Sequence, residues 1–255
     1  MSYHHNLISD TERLAAFYEA ILTNIEGVVY DLGTGSGILS AWAAPCAEHV
    51  FAVEINKTTV KQAKKNLEGF KNVEVIYGDA SKLSFSKNAD VIICEMLDTA
   101  LIDEEQVPVL NSVRKYLNPN GIIIPYGIIN CIEPIQCEIE HIYYEENDNP
   151  KNLVLGDPIF YNKIIFINHK HINEIYHQSL NIVIRTSGII TAVKITTFTL
   201  ITENSICGPT HMLNPPLIIP VEKLNVECGD KLCLDLHYIM GGGLENVRAN
   251  IAKIC

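Results

Sequence analysis

The chain has 255 residues, 47% hydrophobic and 19% charged, with a net charge of −11. That length suits two modest domains or one large one, and the composition excludes disorder. The acidic balance works against a grip on nucleic-acid phosphates and suits a basic partner.

The first residues, Met-Ser-Tyr-His-His, lack the basic region and apolar stretch of a secretory signal. No apolar run approaches the roughly 20 residues that span a bilayer, so no membrane association is expected. Eight cysteines without a C-x-x-C pair read as packed thiols, not zinc ligands or disulfides. The expected location is cytoplasmic.

Ser9 followed by Glu12 is a capping-box pattern, and Leu14, Phe17, Tyr18, Ile21, Leu22 and Ile25 recur at helical spacing. A helix is predicted from about Asp10 to Ile25, stopped by Gly27. Val28–Leu32 reads as a first strand, and a helix opens at Gly37 and ends at Pro45. A second strand, His49–Val53, ends at Glu54. Asn56 then caps a helix with Val60, Ala63 and Leu67 on one face. Val73–Tyr77 is the third strand, followed by Gly78-Asp79-Ala80, and Val91–Cys94 is the fourth, ending at Glu95. A further helix is expected to reach Leu117, with a turn at Asn118-Pro119-Asn120-Gly121 before a fifth strand, Ile122–Ile124. Strands alternating with helices predict an α/β fold, a doubly wound parallel sheet of Rossmann-like type.

Beyond Pro125 the β-branched, alternating segments Leu180–Arg185, Ile189–Thr199 and Lys231–Met240 predict an all-β, barrel-like module. The expected domains are therefore 1–125 and 126–255.

The chemistry is expected beyond the carboxyl ends of the parallel strands. Asp31-Leu-Gly33-Thr-Gly35-Ser-Gly37 is a glycine-dense turn between strand and helix, where backbone can approach a ligand closely. Its G-x-G-x-G spacing departs from the dinucleotide pattern. A carboxylate at Asp31 would repel a pyrophosphate and hold an amino group. Glu54, ending strand two, can accept both hydroxyls of a ribose, and Asp79, beside Ala80, can accept an adenine amine. Each acid alone is an ordinary loop carboxylate. Together with the turn they favour S-adenosylmethionine, which is cationic at its sulfonium and ammonium.

These motifs resemble those of the class I S-adenosylmethionine-dependent methyltransferases. More narrowly, Cys94-Glu95-Met-Leu-Asp-Thr-Ala-Leu-Ile-Asp103-Glu104 resembles the double-glutamate loop of the protein arginine methyltransferases. The resemblance implies that Glu95 and Glu104 hold a substrate guanidinium between them. It also implies that Arg13, in a segment similar to that family's entry helix, meets the cofactor carboxylate. Gly208-Pro-Thr-His211-Met212 is similar to the family's Thr-His-Trp loop, which implies an Asp10–His211 pair able to relay a proton. This chain departs from the pattern in three ways. Met96-Leu97-Asp98-Thr99 replaces Trp-Met-Gly-Tyr, Met212 replaces an aromatic, and Glu138–Lys163 is too short and acidic to make an obvious dimerisation arm. A homodimer is therefore left open.

The resulting expectation is an N-methyltransferase using S-adenosylmethionine, without a metal, on arginine in a basic segment of a protein. The alternatives are an RNA or other amine methyltransferase, or a cofactor-binding module that has lost activity. An RNA-base acceptor fits poorly, because Glu-Met-Leu follows strand four where Asn/Asp-Pro-Pro-aromatic would be needed.

Overall fold

A computed structural model describes residues 10–145, 150–168 and 171–254. Ser9 of the expected capping box lies outside them. Helix α1, Thr11–Asn24, is capped by Asp10, whose Oδ1 accepts the Arg13 N–H at 3.1 Å. Strand β1 (Val28–Leu32), helix α2 (Ile38–Ala43), strand β2 (His49–Glu54), helix α3 (Lys57–Leu67), strand β3 (Val73–Tyr77) and strand β4 (Ala89–Cys94) follow as the pattern predicts.

Two departures occur next. Helix α4 covers only Gln106–Val113 and gives way to a 3-10 turn, Arg114–Tyr116. Strand β5 then runs from Leu117 to Ile124, and the expected Asn-Pro-Asn-Gly turn is a bulge within it. Its register against β4 jumps from Ala89↔Leu117 to Val91↔Ile122. Ladder bonding on either side of the bulge overrides the local turn propensity.

The five parallel strands are ordered β3-β2-β1-β4-β5, so the direction of the winding reverses between β1 and β4. Crevices form at such a reversal. Both faces of the sheet are covered, and that is why β1 reads as an unbroken apolar run apart from Asp31. The two-residue period sends Val29, Val50, Val91 and Ile93 to one face, where Phe17 and Ile21 of α1 and Leu39 of α2 bury them. Tyr30, Leu32, Phe51 and Ile92 face the other way, into a core shared with α4 and the antiparallel half.

That half comprises β6 (Gly127–Gln136), β7 (Tyr143–Tyr144), β8 (Leu153–Val154), β9 (Ile159–Ile165), β10 (Ile175–Val183), β11 (Gly188–Leu200), β12 (Ile206–Cys207), β13 (Leu217–Val226), β14 (Lys231–Ile239) and β15 (Arg248–Lys253). They form a curled antiparallel sheet centred on β13-β11-β6, and a three-stranded sheet β10-β14-β15. Ile132, Ile195, Leu234 and Tyr238 join the same apolar cluster as Tyr30 and Ile92, so one core runs through both halves. All seven described cysteines are free thiols. Among the described residues no helix is long and apolar enough to cross a membrane.

Candidate active site

The glycine turn sits where β1 hands over to α2. Gly33, Gly35 and Gly37 all have positive φ, but the requirement differs between positions. A Cβ on Gly37 would stand 2.7 Å from Leu67 Cδ1, so this glycine lets α2 approach α3. A Cβ on Gly35 would meet nothing nearer than the Gly33 carbonyl at 3.9 Å, so the space above it is open. Gly35 N–H donates to Glu54 Oε2 at 3.1 Å, and Asn56 N–H donates to Oε1 at 2.6 Å. These bonds fix the Glu54 carboxylate at the end of β2.

Asp31 is not where the motif reading puts it. It shares the parity of Val29 and so faces the helices, beneath the turn. Its Oδ2 accepts from Thr34 Oγ1 at 2.6 Å and from Ser40 Oγ at 2.5 Å, and the residue is 1% exposed. Burial pushes its pKa up to about 6, opposed by the two hydroxyl donors. The buried carboxyl braces the turn to the first turn of α2 and has no face on the cavity.

Glu95, just past β4, receives a fork from Arg13: Nε donates to Oε1 at 2.8 Å and Nη2 to Oε2 at 2.5 Å. This guanidinium–carboxylate pairing ties the first turn of α1 to the end of the central strand. Arg13 also lines the cavity, where the expected cofactor carboxylate would lie. The Asp10–His211 pair is absent. Thr210 Oγ1 donates to Asp10 Oδ2, and His211 is exposed. The reason is local. Thr210 and Leu213 bracket a tight turn, with Thr210 N–H to the Leu213 carbonyl at 2.9 Å, and the turn points His211 outward. Met212, beside it, faces the cavity.

The loop from Glu95 to Glu104 is held by side chains. Gln106 Oε1 accepts the Met96 N–H at 3.0 Å. Asp98 Oδ2 accepts the N–H groups of Ile102 at 3.1 Å and Asp103 at 2.9 Å, and Oδ1 accepts that of Glu104 at 3.2 Å. Glu104 precedes α4, whose first turn holds Pro108; the proline ring would clash with the carbonyl four residues earlier, that of Glu104, so the helix does not extend back over it. Its pKa is raised, first by partial burial and then by Asp103, Glu95 and Glu105.

On the far wall Asp79 accepts Ser81 Oγ at 2.6 Å and pairs with Lys82 Nζ at 2.6 Å, and these donors hold its pKa below the ordinary carboxylate range.

One cavity of about 290 Å³ gathers Arg13, Gly33, Gly35, Glu54, Asp79, Ala80, Glu95 and Glu104. Asp10, Asp31, Gly37 and His211 lie outside its lining. Thr210, Ser40 and Gln106 hold these side chains and loops without having been singled out in the sequence, and Asp98 was singled out only as a departure from the resembling loop. Of the first three, Ser40 carries a sequence signal, because it stands one helical turn beyond Gly37 and so can reach back to Asp31.

The described site can be set beside known proteins. The methyltransferase domain family matches residues 29–121. An uncharacterised protein of Methanothermobacter thermautotrophicus is 46% identical over 98% of this chain and 97% of that protein. One from Methanocaldococcus jannaschii is 39% identical over 98% and 96%. Arabidopsis thaliana protein arginine N-methyltransferase PRMT10 is 34% identical over 54% of this chain, which covers 38% of that protein.

Two solved structures share the fold. Arabidopsis thaliana protein arginine methyltransferase 10 has a TM-score of 0.78 at 18% identity, covering 100% of this chain and 98% of that one. The Trypanosoma brucei PRMT1 enzyme-prozyme complex with AdoHcy has a TM-score of 0.78 at 15% identity, covering 98% and 96%. A parallel sheet with its crevice at the β1/β4 reversal, followed by a curled antiparallel sheet, is the architecture shared with those structures: a Rossmann-like methyltransferase-type domain with an appended β module. The methyltransferase domain match lies in the parallel half, and the whole chain shares its fold with the two arginine methyltransferase structures.

Proposed function

We propose that this methyltransferase uses S-adenosylmethionine to N-methylate arginine in a basic segment of a protein, with 1–125 as cofactor domain and 126–255 as the β module bearing on substrate. The observation that carries this reading is the Arg13–Glu95 fork: a carboxylate on the cavity wall already accepts a guanidinium in bidentate geometry. Glu104, on the same cavity, supplies a second carboxylate. The open space over Gly35 and the fixed Glu54 carboxylate fit an adenosine sugar, and Asp79 beside Ala80 fits its base.

When bound, S-adenosylmethionine supplies an electrophilic sulfonium methyl. Every other step falls to this chain. Glu95, through the lone pairs its oxygens keep beside the Arg13 fork, and Glu104 accept N–H groups of the acceptor guanidinium and draw its charge toward the nitrogens they touch. The remaining terminal nitrogen keeps lone-pair character toward the methyl. Catalysis is then mostly alignment and charge placement. The raised pKa of Glu104 suits its carboxylate to take the proton that the methylated nitrogen sheds. Glu104 is also solvent-accessible at the rim, so the proton passes to water without His211.

The test is transfer of labelled methyl from S-adenosylmethionine to proteins of the source cell's own extract, followed by identification of the modified residue. Label on arginine supports the reading. Label on lysine, an amino terminus or RNA overturns the acceptor, and no label anywhere overturns the activity.

A further inference from the structure

We propose that Asp98, gripped from the β module by Tyr144, is the positioning residue that sets the backbone of Glu104; the catalytic part of this proposal rests on the arginine-acceptor reading above. Asp98 occupies the place of a glycine in the resembling loop and looks at first like a surplus acid. It is 7% exposed and lines no part of the cavity.

Three backbone N–H groups, from Ile102, Asp103 and Glu104, converge on its carboxylate, and Tyr144 Oη donates a fourth bond to Oδ2 at 3.1 Å. Successive N–H groups folded around one anion form a nest, and here the anion is the chain's own side chain. The fold of this nest is unfavourable on its own. Ala100 and Leu101 both have left-handed backbone, at φ 59° and 60°, a conformation that costs about 1–2 kcal/mol per non-glycine residue.

The β module over-determines the loop from outside. Thr197 Oγ1 accepts the Ala100 N–H at 2.8 Å, Thr99 Oγ1 donates to the Pro215 carbonyl at 2.6 Å, and the Gly241 and Gly243 N–H groups donate to the carbonyls of Leu101 and Ile102 at 2.8 and 3.0 Å. Those bonds fix residues 99–102. Asp98 carries the constraint on to Asp103 and Glu104.

The charged and titratable groups that face Asp98 are Asp103 and Glu104 from its own loop, Tyr144 from β7 and Tyr238 from β14. Burial, above all, pushes its pKa up to about 7. The nest donors and Tyr144 all favour the ionised form. Loss of Tyr144's hydroxyl therefore moves that pKa higher.

The test uses the full chain as wild type, Asp98→Asn and Tyr144→Phe. Asparagine turns an N–H pair toward the nest and breaks it. Phenylalanine leaves the three backbone donors in place, so it keeps the proposal testable if the first variant folds poorly. Amide hydrogen exchange at Ile102, Asp103 and Glu104 is expected to quicken at least about tenfold in Asp98→Asn, with S-adenosylhomocysteine affinity unchanged within about twofold.

With hexa-arginine as probe acceptor, kcat/KM is expected to fall about 10²-fold, as for a misplacement on the order of 1 Å. The acidic limb of the pH–rate profile should move upward in Tyr144→Phe. A merely structural role would not move that limb. Retained protection at the three amides in Asp98→Asn, or an unmoved limb in Tyr144→Phe, overturns the proposal. Altered amides with no hexa-arginine methylation by the wild type leave the positioning device standing and overturn the acceptor reading.

Discussion

Arg13 and Glu95, 82 residues apart in sequence, meet as a two-point fork with Nη2 to Oε2 at 2.5 Å, both side chains largely buried. This bond joins the cap of α1 to the carboxyl end of β4, so it shapes the cavity as well as lining it. Replacing Arg13 by Met leaves a carboxylate without its fork. We predict a loss of about 1.5–3 kcal/mol in urea unfolding, the range for hydrogen bonds to charged groups. Arg13→Lys should recover only part of that, since an ammonium cannot make the fork.

The two glycines of the turn should respond differently to alanine. Gly37→Ala places a Cβ 2.7 Å from Leu67, at φ 88°, and should lower stability by about 1–3 kcal/mol through overpacking. Gly35→Ala meets no neighbour and should cost only the left-handed strain, about 1–2 kcal/mol. Its methyl instead enters the space assigned to cofactor. Calorimetric titration with S-adenosylhomocysteine should therefore show the larger loss of affinity for Gly35→Ala, and chemical denaturation the larger loss of stability for Gly37→Ala.

Buried carboxyls give this protein an unusual pH response. Asp31 titrates near 6 in the folded state, against an ordinary value near 3.8. Between those values the native state binds more protons than the unfolded one, so the stability slope with pH is negative. Stability from this group is therefore full below about pH 4 and is lost as pH rises through about 6. Asp98, at about 7, extends the decline. The carboxyls with lowered values, Asp79, Asp157 and Asp230, act in the opposite sense below about pH 4. Denaturation midpoints measured across pH 4–7 should fall with rising pH, and Asp31→Asn should flatten the lower part of that slope.

The loop after β12 offers a direct choice between the sequence expectation and the observed contact. Thr210, not His211, holds Asp10. His211→Ala should leave turnover within about twofold, because the ring is exposed and lies outside the cavity. Thr210→Val should lower stability by about 1 kcal/mol or more and reduce turnover, since it frees the carboxylate that caps the helix carrying Arg13. Steady-state kinetics of both variants separate the two accounts.

The parallel half was legible because its evidence is local: β1 and β4 are apolar runs that end in an acid, and the glycine turn sits between strand and helix. At Asp31 the local pattern did not show where the side chain goes. A strand-end acid invites a ligand role, whereas its parity with Val29 sends it under the turn to Ser40. Arg13 was marked by position, but its partner lies 82 residues away and no local pattern announces it. The support of the Glu95–Glu104 loop was hidden for the same reason. Tyr144, Thr197, Pro215, Gly241 and Gly243 all reach it from the β module, and Asp98 alone resembles a departure from a motif. Asn118-Pro119-Asn120-Gly121 reads as a turn by composition, yet ladder bonding to β4 makes it a bulge.

The central claim is that Glu95 and Glu104 act on the acceptor while Glu54 and the glycine turn hold the cofactor. It is tested by measuring S-adenosylhomocysteine affinity and labelled-methyl transfer to an arginine peptide in Glu95→Gln and Glu104→Gln. The account predicts near-wild-type affinity in Glu104→Gln and transfer reduced by about 10²-fold or more in both variants. Transfer at the wild-type rate in both would contradict it.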